Sequence, residues 1–199
     1  MNKIILSVAL IFVASVSQAQ VVKLSGPRIG ATVVTTGSAS DFIQNDLMTP
    51  GDDGWGNSST ALITQYGWQL ETRFIESDEI SGLVEWVFLV GGMERGLFLP
   101  SVSSLFGMRS KSGFESALGP NLSLTGIGMV LAVGYTFTTG NLNIPVNLSF
   151  VPGKSKTYEA SEEWIWDNET GTETYVPASS TDYNTGNRIS LTLGFNLVQ

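Results

Sequence analysis

Two groups of charged residues in this sequence are candidates for chemistry. Arg28, Glu71, Arg73, Glu85, Arg109 and Glu115 are spread along the first two thirds of the chain, each alternating with bulky apolar neighbours. Glu162, Glu163, Trp164, Trp166, Asp167 and Tyr175 crowd a single stretch near the C-terminal end. Carboxylates can work alone as acid and base, but hydrolytic sites usually rest on a His beside Ser or Asp. The sequence contains 0 His and 0 Cys, and no carboxylate pair is set apart from its surroundings by spacing. Asp41, Asp46, Asp52 and Asp53 lack the regular ligand spacing of a calcium loop. No enzyme activity, cofactor or metal is expected.

The charged residues must be positioned by whatever elements the chain forms, and its start is a targeting segment rather than part of a fold. Lys3 supplies a short basic region, Ile4 to Val16 an apolar one, and Ser17-Gln18-Ala19 a small-x-small cleavage site. Residues 1–19 therefore read as a signal peptide, too short in its apolar run for a spanning helix. The absence of cysteine removes a lipid anchor there, and disulfides and thiolate sites throughout. With 10 Lys and Arg against 18 Asp and Glu, the net charge is −8. That acidity argues against nucleic acid as a partner. No later segment is apolar and long enough for a spanning helix, so a membrane location would require a closed barrel.

Residues 20–199 read as one barrel domain. Apolar residues recur with period two over eight segments bounded by turn residues. The segments run from about Pro27 to Thr35, Ala61 to Ile75, Ile80 to Val90, Leu97 to Arg109, Gly113 to Leu124, Ile127 to Phe137, Leu142 to Phe150 and Arg188 to Asn196. The second is the clearest: Leu62, Tyr66, Trp68, Leu70 and Phe74 alternate with Gln65, Gly67, Gln69, Glu71 and Arg73. In the fourth, Leu97, Leu99 and Leu105 fall on the polar side. Tight polar turns follow the even-numbered segments. Long loops, at about 36–60 and 152–187, follow odd-numbered ones. That parity places both long loops at one end, as in barrels of the bacterial outer membrane.

The bulky face would overfill an eight-stranded barrel, whose interior is just wide enough for side chains. The face carrying Gly, Ser, Thr, Asn, Gln and charges fits it. Turned that way, Phe74, Phe106, Phe114, Phe137 and Phe195 form one outward aromatic girdle, and Phe88, Phe98 and Phe150 the other. Arg28, Glu71, Arg73, Arg109 and Glu115 project into one half of the lumen, with Glu85 nearer mid-height. Unpaired ions in so narrow a space are too costly, so these six are expected to form a salt-bridge network that plugs the barrel. Pro145 sits within the seventh segment, where a bulge or broken ladder is expected.

The leader, the strand plan and the closing segment Arg188-Ile189-Ser190-Leu191-Thr192-Leu193-Gly194-Phe195-Asn196 resemble the small outer-membrane β-barrel families of the OmpX and OmpA-barrel kind. The resemblance implies an all-β, eight-stranded, antiparallel up-and-down transmembrane barrel in the outer membrane. Its partners would be outer-membrane lipid and the barrel-insertion machinery. In such families the last strand carries the insertion signal, usually with a terminal aromatic; this chain instead ends Leu197-Val198-Gln199.

The leading expectation is a non-catalytic outer-membrane barrel with a structural or surface-interaction role and an unidentified extracellular ligand at its loops. Glu162, Glu163, Trp164, Trp166, Asp167 and Tyr175 are the candidate surface-binding residues, against the simpler reading of a solvated hairpin extending the flanking strands. A small transport protein for hydrophobic or very small solutes, and a soluble lipocalin-like periplasmic carrier, are the alternatives.

Overall fold

The computed structural model describes residues 25–45, 59–77, 79–167 and 171–197. The signal peptide expected at 1–19 and the residues Asp46, Asp52 and Asp53 lie outside these residues. The chain divides into two compact units, one built from residues up to Thr32, Ile63–Val151 and from Ile189 onward, the other from Val33–Leu62 and Pro152–Arg188.

The first unit carries the barrel. Its strands are β1 (Gly26–Val34), β2 (Ala61–Glu76), β3 (Ile80–Gly91), β4 (Leu99–Ser110), β5 (Phe114–Ser123), β6 (Gly126–Thr139) and β7 (Leu142–Val151). The eighth strand is divided into β12 (Arg188–Gly194) and β13 (Asn196–Leu197), following β8–β11 in the second unit. Each strand pairs antiparallel with its neighbour in sequence, and β12 pairs with both β1 and β7. The sheet thus closes on itself as one eight-stranded antiparallel barrel, which removes every unpaired edge.

The alternation has the expected sense. Trp68 is 49 % exposed and its neighbour Gln69 only 2 %. Leu131 and Leu193 likewise stand outside, with Gly134 and Thr192 on the more enclosed face. The phenylalanines expected in two girdles are all exposed on the outer face. Tyr135 and Phe137 meet edge to face with ring centroids 4.8 Å apart, an arrangement favoured by the ring quadrupoles.

Two expectations are corrected in detail. The interior is not polar throughout. Leu105 is buried with Ala117, Val130 and Val151, and Val87 and Ala132 pack against them. These inward aliphatic residues fill space that small polar side chains would leave empty, since voids forfeit contacts. At Pro145, the ladder to β6 runs through unbroken, with Pro145 opposite Thr136. The interruption lies on the other side of β7, where β12 stops at Gly194 and β13 begins at Asn196. The Cγ of Pro145 lies 2.8 Å from where a Cβ on Gly194 would sit. A bulge does occur in β2: the register against β3 shifts between Arg73 and Ile75, skipping Phe74. The Phe74 ring then lies over Gly82, where a Cβ would come within 2.9 Å of it.

The second unit is built from the segments expected as loops. The helix α1 (Ser38–Asn45) lies in the first. Its start has the Ser-x-x-Asp pattern of a capped N-terminus, in Ser38 and Asp41, and the Ser40 hydroxyl donates to the Gly37 carbonyl at 2.8 Å. The second segment folds into β8 (Ser155–Ala160), β9 (Glu163–Asp167), β10 (Thr172–Val176) and β11 (Ser179–Asn184). β8 pairs with β11 and β9 with β10, giving a long hairpin. The Thr35 N–H donates to the Asn187 carbonyl at 2.8 Å, and the Asn187 N–H donates to Thr35 Oγ1 at 2.8 Å. The two long connections therefore meet at their bases.

Close backbone approach and turn geometry make separate demands on glycine. A Cβ at Gly67 would collide with the Phe88 carbonyl, whereas Gly140 turns at φ 58° with open space around it. Gly67→Ala should cost about 1–3 kcal/mol by overpacking, and Gly140→Ala about 1 kcal/mol from the left-handed backbone alone, read by urea unfolding. In the β3–β4 connection, the Glu94 carboxylate accepts from the Thr64 N–H and hydroxyl at 2.8 and 2.5 Å. The Thr64 hydroxyl holds the Glu94 pKa below the usual carboxylate value. That contribution is present above the ordinary carboxylate pKa and fades as pH falls through the depressed value. An NMR titration should find the Glu94 midpoint depressed and Thr64→Val should raise it; equal midpoints would refute the contact.

Candidate functional site: a luminal ion-pair network and an exposed hairpin

The network begins with a conflict set by register. Glu71 on β2 lies directly opposite Glu85 on β3, and like charges so placed repel. Glu115, on β5, lies opposite Arg109 on β4. All four point inward, because each sits at an inward position of its strand, and all are buried. The guanidinium of Arg109 resolves the conflict. It donates to both Glu71 oxygens, Nη1 to Oε1 at 2.8 Å and Nη2 to Oε2 at 2.5 Å. Its Nε donates to Glu115 Oε2 at 2.7 Å, and Nη2 lies 3.7 Å from Glu85 Oε1. Two carboxylates thus take charge-assisted bonds in the planar fork geometry that only arginine offers.

The remaining members extend outward from this centre. Arg73 places Nε 3.5 Å from Glu71 Oε1 and Nη1 3.3 Å from the exposed Glu76. Arg28 makes no ion pair at this distance among the described residues. Its Nε donates to Gln69 Oε1 at 3.0 Å, and Gln69 Nε2 donates to Glu85 Oε1 at 2.8 Å. An amide therefore relays between the Arg28 cation and the Glu85 anion. Arg28 Nη1 also donates to the Pro27 carbonyl at 3.1 Å and to Asn196 Oδ1 at 3.3 Å. Leu105 stands opposite Glu85 in the β3–β4 ladder, giving that carboxylate an apolar neighbour on one side.

All six residues named from the sequence thus stand in the lumen, five of them in direct ion pairs. Gln69 and Asn196 were not named among them, although Gln69 shares the inward face of β2 with Glu71. Thr32, whose hydroxyl donates to Gln65 Oε1 at 2.6 Å and lies 2.6 Å from Ser190 Oγ, adds a second polar cluster.

The three glutamates also offer the geometry of a cation site, their nearest oxygens within 4.8 Å of one another. The Arg109 Nη2 already lies 2.5 Å from Glu71, 2.5 Å from Glu115 and 3.7 Å from Glu85. A metal ion would have to displace a guanidinium that carries its own charge and fixed donors, so the donor set fits arginine rather than a metal.

The second candidate group lies on the hairpin. Trp164 pairs with Tyr175 and Trp166 with Glu173, while Glu163 pairs with Val176 and Asp167 closes β9 opposite Thr172. The Trp164 and Tyr175 rings lie 5.0 Å apart, and the Tyr175 hydroxyl donates to Glu162 Oε2 at 2.8 Å. The Glu162 carboxylate raises the Tyr175 pKa. Glu162, Glu163, Trp164, Trp166 and Tyr175 are all exposed.

Comparisons with family models, with curated proteins and with solved structures return no match for this chain.

Removing the central cation should be far worse than neutralising one anion. Arg109→Met leaves three buried carboxylates without their bridge and should lower stability by about 3–5 kcal/mol. Glu85→Gln keeps an acceptor for Gln69 and removes the repulsion from Glu71, so its effect should stay within about 1 kcal/mol. Urea titration of the folded barrel ranks the two; equal losses would contradict the bridging role of Arg109.

Proposed function

We propose that this chain is an integral protein of the bacterial outer membrane, exported by the leader at 1–19, with a plugged lumen and a non-catalytic role in envelope structure or surface interaction. The observation that carries the reading is the inverted polarity of the barrel. Charged and amide side chains are buried inside, while Trp68, Trp86, Phe106, Leu118, Leu131 and Leu191 are between 44 and 55 % exposed outside. In water, an apolar band continuing around the barrel far exceeds the patches that soluble monomers tolerate. In a bilayer the same band faces hydrocarbon, and the closed sheet pairs its strands all the way round with no free edge there. The leader and the parity of long and short connections support the outer membrane as the location. The resemblance to OmpX-like and OmpA-like barrels supports the same assignment at the level of strand plan.

Among the alternatives, a soluble carrier of the lipocalin kind needs an apolar interior, whereas Arg28, Gln69, Glu71, Glu85, Arg109 and Glu115 are buried here. Passage of solutes needs an open lumen, and the inward ion pairs around Arg109 weigh against one. The absence of His and Cys from the sequence weighs against hydrolytic chemistry.

Membrane fractionation and a heat-dependent gel shift should find the protein with the outer membrane, migrating faster before heating than after. Planar-bilayer recording should give no sustained conductance. Leu131→Arg offers a thermodynamic test. On a lipid-facing strand near mid-depth it should cost about 2–4 kcal/mol, while on a water-facing surface the change should stay within about 0.5 kcal/mol. A soluble protein without detergent, or a neutral Leu131→Arg, would overturn the membrane reading.

A further inference from the structure

The hairpin β8–β11 stands apart from the plugged barrel in its chemistry. Alternate residues of a strand share a face, and cross-strand partners share it too. The β9–β10 register therefore puts Trp164, Trp166, Tyr175 and Glu173 on one side of a two-stranded ribbon. Trp164 is 64 % exposed and Trp166 56 %. Tyr175 is held in place from two directions, by the Trp164 ring 5.0 Å away and by its hydrogen bond to Glu162. Aromatic rings of this size usually bury one side when nothing is meant to cover them.

The charge around these rings is of one sign. Between Thr157 and Asn187 the sequence holds Glu159, Glu162, Glu163, Asp167, Glu169, Glu173 and Asp182 and no Lys, Arg or His. A neutral or anionic partner gains nothing from such a field. A cation is drawn to it twice, by the carboxylates and by the electron-rich ring faces. Guanidinium suits both, since it stacks flat on indole and bonds carboxylates with its edge.

The spacing indicates how the cations are arranged. Trp164 and Trp166 are two residues apart on one strand, a repeat of about 6.6 Å. Alternate side chains of any extended peptide repeat at the same interval. Among the described residues, β9 and β10 pair only with each other, so their outer edges retain backbone donors and acceptors that can take a further strand.

We propose that the aromatic face of β9–β10 binds an extended basic polypeptide segment, its alternate arginines stacking on Trp164 and Trp166 and pairing with Glu162 and Glu173. Binding at this site does not depend on whether the barrel conducts or is plugged.

The test is fluorescence anisotropy of a dye-labelled peptide, Arg-Thr-Arg-Thr-Arg, titrated with the full-length folded protein in zwitterionic detergent. Binding should be saturable and should weaken as salt is raised. The Trp164→Ala/Trp166→Ala and Glu162→Gln/Glu173→Gln double variants should each bind about tenfold or more weakly, while keeping the heat-dependent gel shift of an intact barrel. Both pairs are exposed and lie outside the barrel, so loss of that shift is not expected. Unchanged affinity in either double variant would overturn the proposal. So would equal binding of the peptide with Gln in place of Arg, or equal competition by a neutral oligosaccharide.

Discussion

The pairing of β2 with β3 sets Glu71 against Glu85, both buried on the inward face. Arg109 makes that register tolerable, and much of the barrel follows from its place. It reaches across from β4 to bind Glu71 with both terminal nitrogens and draws in Glu115 from β5. Four consecutive strands are therefore tied by one guanidinium. A buried ion cluster of this kind adds little to stability against an apolar filling. What it adds is discrimination: a slip of one residue in any of these strands would turn an ion out toward the bulky face and leave its partners unpaired. The same cluster stands on the inward face, so the ions that depend on register lie together inside the barrel.

That arrangement inverts a soluble protein. Most folded domains hide aliphatic and aromatic groups and expose charges; this barrel buries Arg28, Glu71, Glu85, Arg109 and Glu115 and leaves Trp68, Trp86, Leu118, Leu131 and Leu191 outside. The inversion is not complete. Leu105, Ala117, Val130 and Val151 form an apolar patch within, and it shows that the interior obeys packing before polarity. Where strand geometry brings ions within reach of one another they are used; where it does not, aliphatic groups fill the space.

Much of this was legible in the residues. β2 is readable because its two faces meet environments of opposite character, so Trp68 and Gln69 differ as sharply in type as in exposure. The strand ends agree with expectation to within one or two residues for the same reason. Leu97, Leu99 and Leu105 were the visible exceptions, and for Leu105 only its packing against Ala117, Val130 and Val151 explains why an aliphatic side chain belongs inside. The membership of the ion cluster could be read from sign and alternation, but not the pairings. These depend on the β2 bulge at Phe74, which no periodicity reveals. Gln69 and Asn196 carry no charge to mark them as partners of Arg28. In the hairpin, β8 to β11 have no core to face, and without a buried side the alternation that identifies strands is weak. The helix α1 did have a signal, in Ser38 and Asp41, but eight residues within a long connection offer little periodicity.

Barrel and hairpin thus differ in chemistry. One buries charged groups that pair with one another; the other exposes aromatic and acidic groups. The orientation of the barrel face is the premise beneath the membrane reading. It is tested most directly by single-tryptophan variants retaining Trp68, Trp86 or Trp164, reconstituted in vesicles with bromine-labelled acyl chains. Emission from Trp68 and Trp86 should be quenched by the brominated lipid and shielded from aqueous acrylamide, with Trp164 showing the reverse. Quenching of Trp68 and Trp86 by acrylamide, with no effect of the brominated chains, would contradict a lipid-facing outer surface.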